Sequence, residues 1–157
     1  MPVWLRSRLR YPAVLLPRIQ TVTQKVLSAA GRPKAIVSLD FVGDLRMQRL
    51  NRRYRGYDAA TDVLAFATPD GGKPRSCLLG DVVISLHTAE RQAAQYGFSV
   101  DEEITKLIIH GILHLFGYDH ERSERDARRM RRKEQAIFRS LMPLPRLVET
   151  RKRRYRP

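Results

Sequence analysis

The chain has 157 residues, 43% of them hydrophobic, which is enough for one sizeable core and too few for a second domain to be expected. Its 30 lysines and arginines against 16 aspartates and glutamates give a formal net charge of +14, more than solubility requires. A polyanion such as RNA or DNA is the simplest partner, with a generally basic surface as the alternative. Cys77 is the only cysteine, which excludes an intrachain disulfide.

The sequence carries no pattern for membrane insertion or secretion. No apolar run approaches the roughly 18 residues of a membrane span, and residues 1–20 lack the apolar segment of a secretory signal. An arginine-rich start without acids also fits an organellar transit peptide, which is the minor alternative. We therefore expect a cytoplasmic protein with no membrane partner.

The first part of the chain alternates between strand and helix patterns. Apolar residues alternate with arginines over residues 3–10, as in a half-exposed strand. Helical spacing follows over residues 12–30, with proline at the start and glycine just past the end. Alternation returns over residues 34–42, and a helix is expected from about residue 44 to 53, with Gly43-Asp44 at its N-cap.

The second part predicts two strands and three helices. Residues 63–67 and 78–85 form apolar strands, separated by a connection rich in glycine and proline. Ser99 and Glu102 fit a capping box that opens a helix continuing to Phe116. The other expected helices lie at about residues 88–96 and 123–141.

This order of elements predicts a single α+β domain over residues 1–142, with helices packed on a small sheet. Strand order and direction do not follow from the pattern. Pro143 and Pro145 end the last helix, and the residues after them are strongly basic. We therefore expect residues 143–157 to form a basic, disordered tail.

Three of the four histidines lie within residues 110–120, in the segment HGILHLFGYDH. On a helix, His110 and His114 present both imidazoles on one face, and a turn after Gly117 can return His120 towards that face. Three imidazoles suit zinc, or nickel as an alternative, and leave a coordination position open for water. A catalytic metal site is therefore favoured over a structural zinc site, which usually has four ligands rich in cysteine.

The helical histidine pair also occurs in zinc peptidases, where glutamate follows the first histidine and acts as general base. Gly111 occupies that position here. Asp119 and Glu121 are the nearest acids, although Asp119 equally fits a role in orienting an imidazole or capping the following turn. Since a bound metal ion lowers the pKa of water and polarises a phosphoryl or carbonyl oxygen, hydrolysis is the favoured reaction class.

Three segments together resemble the YbeY endoribonucleases, the bacterial rRNA maturation factors. HGILHLFGYDH resembles the family signature H-G-x-L-H-L-x-G-Y-D-H, residues 50–67 (LNRRYRGYDAATDVLAFA) resemble L-N-x-x-Y-R followed by T-D-V-L-S-F-P, and residues 78–85 (LLGDVVIS) resemble L-G-D-I/V-x-I. The segments occur in the family's order. Ala65 and Ala67 stand where the family usually has Ser and Pro, which concerns loop geometry more than activity.

The resemblance implies a zinc-dependent, single-strand-specific endoribonuclease in rRNA maturation at the small-subunit 3′ end and in ribosome quality control. Metal-activated water or hydroxide would attack an RNA phosphodiester, with single-stranded RNA, rRNA and the small ribosomal subunit as partners. The metal ligands would be His110, His114 and His120, and Arg55 the catalytic arginine. A guanidinium beside a metal can hold a phosphate bidentately, although a solvated surface charge is the ordinary role of an arginine.

The expected architecture is an α+β fold with a small mixed four-stranded sheet, about five helices and a metal site at the end of a helix in the C-terminal half. The main alternative function is a zinc-stabilised RNA-binding or ribosome-assembly module with little catalysis of its own. A peptide hydrolase is a further alternative.

Thr61, Asp62 and His87 are assigned structural roles. Oligomeric state and the choice between hydrolysis and transesterification are not predicted. The basic residues expected to contact RNA phosphates are Arg125, Arg128, Arg129, Arg132 and residues 151–154.

Overall fold

A mixed four-stranded sheet forms the centre of the molecule. A computed structural model describes residues 3–69 and 77–149. Its strands are β1 (Val3–Ser7), β2 (Ala13–Val14), β3 (Ile36–Val42), β4 (Val63–Ala67), β5 (Leu78–Ser85) and β6 (Val148–Glu149). The order in the main sheet is β1-β3-β5-β4, with β1, β3 and β5 parallel and β4 antiparallel to β5.

The described residues also contain five helices around this sheet, which confirms the expected α+β architecture. They are α1 (Leu16–Ala29), α2 (Asp44–Arg55), α3 (Leu86–Tyr96), α4 (Val100–Leu115) and α5 (Glu124–Ser140). None of the helices in residues 3–69 and 77–149 is long and apolar enough to cross a membrane.

The two faces of the sheet carry different cores because side chains alternate along each strand. On β3, Val37, Leu39 and Phe41 are buried in the larger core, together with apolar residues of α1 and α4. A smaller cluster on the helix α2 side contains Val42 and Met47, with Leu64 and Val83 from the neighbouring strands. Helices α2 and α4 are thereby held at the sheet by separate apolar clusters.

A small second sheet corrects two expectations from the sequence. The first helix begins at Leu16 rather than residue 12, because Ala13–Val14 instead pairs antiparallel with Val148–Glu149. The supposed tail is therefore packed as far as Glu149, with Leu147 fully buried. Asp101 of α4 helps to hold this segment in place, because its Oδ1 accepts the backbone N–H of Leu147 at 2.6 Å. Residues 150–157, which include the predicted phosphate contacts at 151–154, lie outside the described residues.

Helix α2 begins in a polar junction formed with β5 and α3. Asp44 Oδ1 accepts hydrogen bonds from Ser85 Oγ at 2.8 Å and Thr88 Oγ1 at 2.7 Å. Its Oδ2 accepts one from Arg91 Nη1 at 2.6 Å. Partial burial by itself would raise the pKa of Asp44, but these three donors outweigh it and lower the pKa to about 2. Asp44 is thus an ionised anchor at the N-terminal end of α2.

Candidate metal centre

Helix α4 carries two of the clustered histidines, and local signals define both of its ends. The Ser99 hydroxyl accepts the Glu102 N–H at 3.1 Å, while Glu102 Oε1 accepts the Ser99 N–H at 3.2 Å. This is the predicted capping box, a type of contact that stabilises a helix by about 1 kcal/mol. The helix ends before Gly117, whose φ of +92° lies in the left-handed region. His110 and His114 therefore project from the last two turns of a well-defined helix.

The three clustered histidines converge on one point. The Nε2 atoms of His110 and His114 are 3.1 Å apart. One ligand nitrogen from each of His110, His114 and His120 lies within 4.8 Å of the others. Zinc–nitrogen bonds of about 2.0–2.1 Å in tetrahedral geometry separate neighbouring nitrogens by ~3.3 Å. The first two imidazoles thus already have the spacing of ligands that share one ion, and His120 completes the triad from the open side.

A tight turn after α4 returns His120 to the cluster. Asp119 Oδ1 accepts the backbone N–H of Glu121 at 2.8 Å, and Asp119 also pairs with Arg122 at 3.2 Å. The backbone hydrogen bond lowers the pKa of Asp119. Of the two roles considered for Asp119, the structure thus assigns it to capping the turn. Glu121 is exposed, with Oε1 3.8 Å from His120 Nε2.

Glu134 of α5 orients the first histidine. Its Oε2 lies 3.3 Å from His110 Nδ1. When Nδ1–H donates a hydrogen bond to this carboxylate, Nε2 carries the lone pair that a metal ion needs. Glu134 was missed by the sequence analysis because it lies 24 positions from His110, on a helix whose packing the motif does not encode.

Burial adjusts the protonation of the second histidine. Desolvation lowers the pKa of His114, and the neighbouring His110 and His120 lower it further. The lowered pKa favours the neutral form of the His114 imidazole. Since neutral imidazole is the form that binds metal ions, the three side chains fit a divalent ion of the zinc type.

Gly111 allows α4 to approach the sheet at the centre of the site. A Cβ atom at this position would lie 2.6 Å from Val82 Cγ1 of β5, closer than real Cβ contacts. A larger side chain therefore cannot be accommodated without displacing α4. The same packing excludes a glutamate at position 111, where zinc peptidases have their general base. This weighs against the peptide-hydrolase alternative.

Arg55 lies in the same cavity as the three histidines. The cavity has a volume of about 710 Å³ and lies between the C-terminal ends of α2 and α4, beside β4. Helix α2 ends at Gly56, whose φ of +76° reverses the chain. Asn51 Nδ2 donates to the Ala59 carbonyl at 2.9 Å and holds the following loop against α2. The lining residues include Asn51, Arg55, Tyr57, Thr61, Asp62, His110, His114, Asp119, His120 and Arg122.

Thr61 and Asp62 line the cavity in addition to their local role. Asp62 Oδ1 accepts the Val63 N–H at 2.7 Å, as expected of a strand-end residue. On its other side, the amide nitrogen of Gln92 lies 3.3 Å from Asp62 Oδ2 and 2.9 Å from Glu103 Oε1 in the orientation that satisfies both acids. Burial raises the pKa of Glu103. The sequence suggested the strand-end role of Asp62 but not its position in the cavity wall.

His87, the fourth histidine, lies outside this cavity. Its Nδ1 accepts the Asp44 backbone N–H at 3.4 Å, at the opposite end of α2 from Arg55. The structural role assigned to it from the sequence fits this position.

Comparison with known proteins gives a consistent family assignment. The family model for Endoribonuclease YbeY matches residues 12–142. The chain is 43% identical over 141 residues to a protein named Endoribonuclease YbeY from Geobacter metallireducens, covering 88% of this chain and 94% of the relative. It is 45% identical over 139 residues to a protein of the same name from Pelotomaculum thermopropionicum, covering 85% and 91% of the two chains.

The fold is similar to a solved structure as well. The solution structure of TM1509 from Thermotoga maritima superposes with a TM-score of 0.64 at 22% identity, covering 88% of each chain. This similarity supports the fold alone, whereas the sequence identities to the two relatives support the family assignment. Together with the three motifs, they lead to one conclusion: the chain belongs to the endoribonuclease YbeY family.

Proposed function

We propose that this protein is a zinc-dependent endoribonuclease that cleaves single-stranded RNA. Its role would be in rRNA maturation, at the 3′ end of the small-subunit RNA, and in ribosome quality control. The observation that carries the proposal is the convergence of three imidazoles and the Arg55 guanidinium on one cavity, in a member of the YbeY family. The single exposed Cys77 fits a reducing compartment, and we propose the cytoplasm.

The donor set supports a metal ion with three protein ligands, His110, His114 and His120. Three nitrogen donors leave a coordination position open, as in catalytic sites, and suit zinc, with nickel as the alternative. When bound, such an ion supplies a Lewis acid that polarises a phosphoryl oxygen and lowers the pKa of water. The chain's contribution is to hold the imidazoles in position, which Glu134 does for His110.

Arg55 has the role of binding the scissile phosphate. Its guanidinium presents paired N–H donors that match two phosphate oxygens, and its charge offsets the negative charge that develops as the phosphodiester is cleaved. The side chain lies at the C-terminal end of α2, within the cavity that also contains the histidines. Arg55 therefore stabilises the transition state without taking part in proton transfer.

The basic surface of α5 would guide RNA towards this cavity. Arg125, Arg128, Arg129 and Arg132 are exposed on this helix. Contacts of this kind bind phosphates without selecting a base sequence and weaken as salt increases. The proposed partner is the small ribosomal subunit, whose RNA presents phosphates to such contacts.

Cleavage of a labelled single strand tests this proposal against the RNA-binding alternative. We expect the wild-type protein with zinc to cut a single-stranded RNA and to leave the same sequence in a duplex intact, and a chelator to abolish cleavage. A precursor carrying the small-subunit 3′ extension should be cut at a defined position. Metal-independent cleavage would refute the zinc mechanism, and tight binding without cleavage would favour the assembly module. A 2′,3′-cyclic phosphate on the product would indicate transesterification.

A further inference from the structure

Four arginines recur at every third position along α2: Arg46, Arg49, Arg52 and Arg55. Residues three apart on a helix are neighbours, about 5–6 Å from each other. We refer to Arg46, Arg49 and Arg52, which are exposed, as the arginine stripe. Since each residue adds about 1.5 Å along a helix and turns it by about 100°, the row from Arg46 to Arg55 rises about 14 Å while winding about half a turn around α2. The stripe therefore extends the positive charge of Arg55 away from the cavity.

The stripe has no acidic residue beside it on its own helix. Asp44 is the only carboxylate in α2, and its oxygens accept hydrogen bonds from Ser85, Thr88 and Arg91 on other elements. The opposite face of α2 is fixed to the sheet through buried Met47. Within α2 the arginines thus have no carboxylate partner, although Asp40 of β3 interacts electrostatically with Arg46, and they lie on a helix that cannot easily rotate, which suits a polyanion.

Tyr57 adds an exposed aromatic ring where the row meets the cavity. It is 69% exposed and lines the cavity that contains Arg55. Its loop is tied to α2 by two hydrogen bonds, from Asn51 Nδ2 to the Ala59 carbonyl at 2.9 Å and from Gln48 Nε2 to Asp58 Oδ1 at 3.1 Å. Restraint of the loop reduces the entropy that Tyr57 would lose on binding a partner.

We propose that the RNA strand leaves the cavity along α2, with an unpaired base stacked on Tyr57 and the adjoining phosphates bound by the arginine stripe. Stacking on an exposed ring together with a basic surface is the usual combination for binding single strands without sequence preference. A duplex cannot offer an unpaired base, so the arrangement favours single-stranded RNA. This inference rests on the proposed function and assigns the path of its substrate.

Stacking on Tyr57 is tested by binding two 12-nucleotide 2′-O-methyl strands to the zinc-loaded protein, with the strands confirmed to be intact after each titration. One strand carries adenine at each position and the other has no bases. We expect Tyr57→Ala to weaken binding of the adenine strand about tenfold and to leave binding of the abasic strand unchanged, while Tyr57→Phe retains wild-type binding of both. Equal affinities of wild type and Tyr57→Ala for the adenine strand, or equal losses for both strands, would overturn the stacking role.

The arginine stripe is tested by the salt dependence of the same binding. Arg49→Gln combined with Arg52→Gln should weaken both strands and reduce the slope of log K against log salt by about 1.4, at roughly 0.7 per phosphate contact. The matched control, Lys25→Gln combined with Lys34→Gln, removes two exposed charges elsewhere and should leave the slope unchanged. Equal slopes for the arginine variant and the wild type would overturn the path along α2.

Cleavage of an unmodified RNA separates this inference from the proposed function. If the wild-type protein cleaves RNA but the Tyr57 and arginine variants bind and cleave as it does, the path along α2 is wrong and the endoribonuclease proposal stands. If the variants weaken binding as expected but the wild type cleaves no RNA, the path is correct and the proposed activity fails.

Discussion

The two ends of α2 differ in how their polar side chains are satisfied. At the N-terminal end, Asp44 accepts hydrogen bonds from Ser85, Thr88 and Arg91. At the C-terminal end, Arg55 and the three histidines line an open cavity of about 710 Å³. Polar groups whose hydrogen bonds are satisfied within the protein stabilise a fold, whereas polar groups that face an open cavity are available to a ligand. A structural polar cluster and a candidate functional one thus lie within the length of a single helix.

The pKa values at the two ends are lowered for different reasons. For Asp44, hydrogen bonds from three donors outweigh the effect of burial and favour the charged carboxylate. For His114, burial itself lowers the pKa and favours the neutral imidazole. The first shift favours folding above the pKa of Asp44, and the second favours the neutral form of imidazole that is able to bind a metal ion.

Substitution of His114, in the cavity at the C-terminal end of α2, or of His87, beside its N-terminal end, should give the largest difference between the two sites. We expect His114→Ala to lower zinc affinity and RNA cleavage by more than ~100-fold, since loss of a ligand should exceed the loss of a ligand's supporting contact. His87→Ala, which removes the imidazole beside Asp44, should retain the metal. Zinc content per chain after dialysis and cleavage of labelled RNA measure both effects. If His87→Ala lost as much zinc as His114→Ala, the assignment of the two ends would be wrong.

Arg55 tests whether the cavity end stabilises developing charge. Arg55→Gln should reduce kcat about 10²–10³-fold, the cost of removing a transition-state donor, with no change in zinc affinity. Arg55→Lys keeps the charge but not the paired donors, and should recover only part of the rate. Steady-state cleavage with zinc titration distinguishes these outcomes; a kcat unaffected by Arg55→Gln would assign Arg55 to the solvated surface.

Glu134 is a carboxylate that acts on the cavity through a histidine, so its effect should be smaller than that of the histidines. Glu134→Ala removes the acceptor of His110 Nδ1 and should weaken zinc binding about 10–100-fold, with Glu134→Gln intermediate. Glu124→Gln, which changes an exposed acid in the first turn of the same helix, is the matched control. Competition with a chromophoric chelator gives the affinities. If all three variants bound zinc with equal affinity, Glu134 would have no role in the zinc site.

Asp44 provides the smallest effect, on stability rather than activity. Its folded-state pKa of about 2 lies below the ordinary 3.8, so the ionised side chain stabilises the fold above pH ~4 and loses that contribution as pH falls towards 2. Asp44→Asn should lower the free energy of unfolding by about 1–2 kcal/mol at neutral pH, since Asp44 is partly exposed and screened.

Urea unfolding at several pH values measures this contribution. The difference between wild type and Asp44→Asn should shrink as pH falls from about 5 to 2. Asp81→Asn, at an exposed position of β5, serves as the control. A difference that stays constant over this range would show that the charge of Asp44 contributes nothing to folding.

Features that depend on neighbours along the chain were predictable. The Ser99–Glu102 capping box, the glycine after α4 and the spacing of His110 and His114 all act within a few residues, so the sequence was sufficient to predict them. The basic charge and the three motif segments likewise indicated RNA and the YbeY family before the fold was known. Local hydrogen bonds and helix periodicity are short-range effects, and their patterns are visible in sequence.

Features that depend on packing between distant segments required the tertiary structure. Glu134 reaches His110 only because α5 packs beside α4, and Leu147 is held by burial in the core, by the β2–β6 pairing and by the hydrogen bond to Asp101. Gly111 could be recognised as the absence of a peptidase base, but its contact with Val82 emerges only when α4 lies on β5. The sequence thus determined the three candidate histidines and the family; the fold decided what orients these side chains, because their partners meet them through long-range packing that leaves no local pattern.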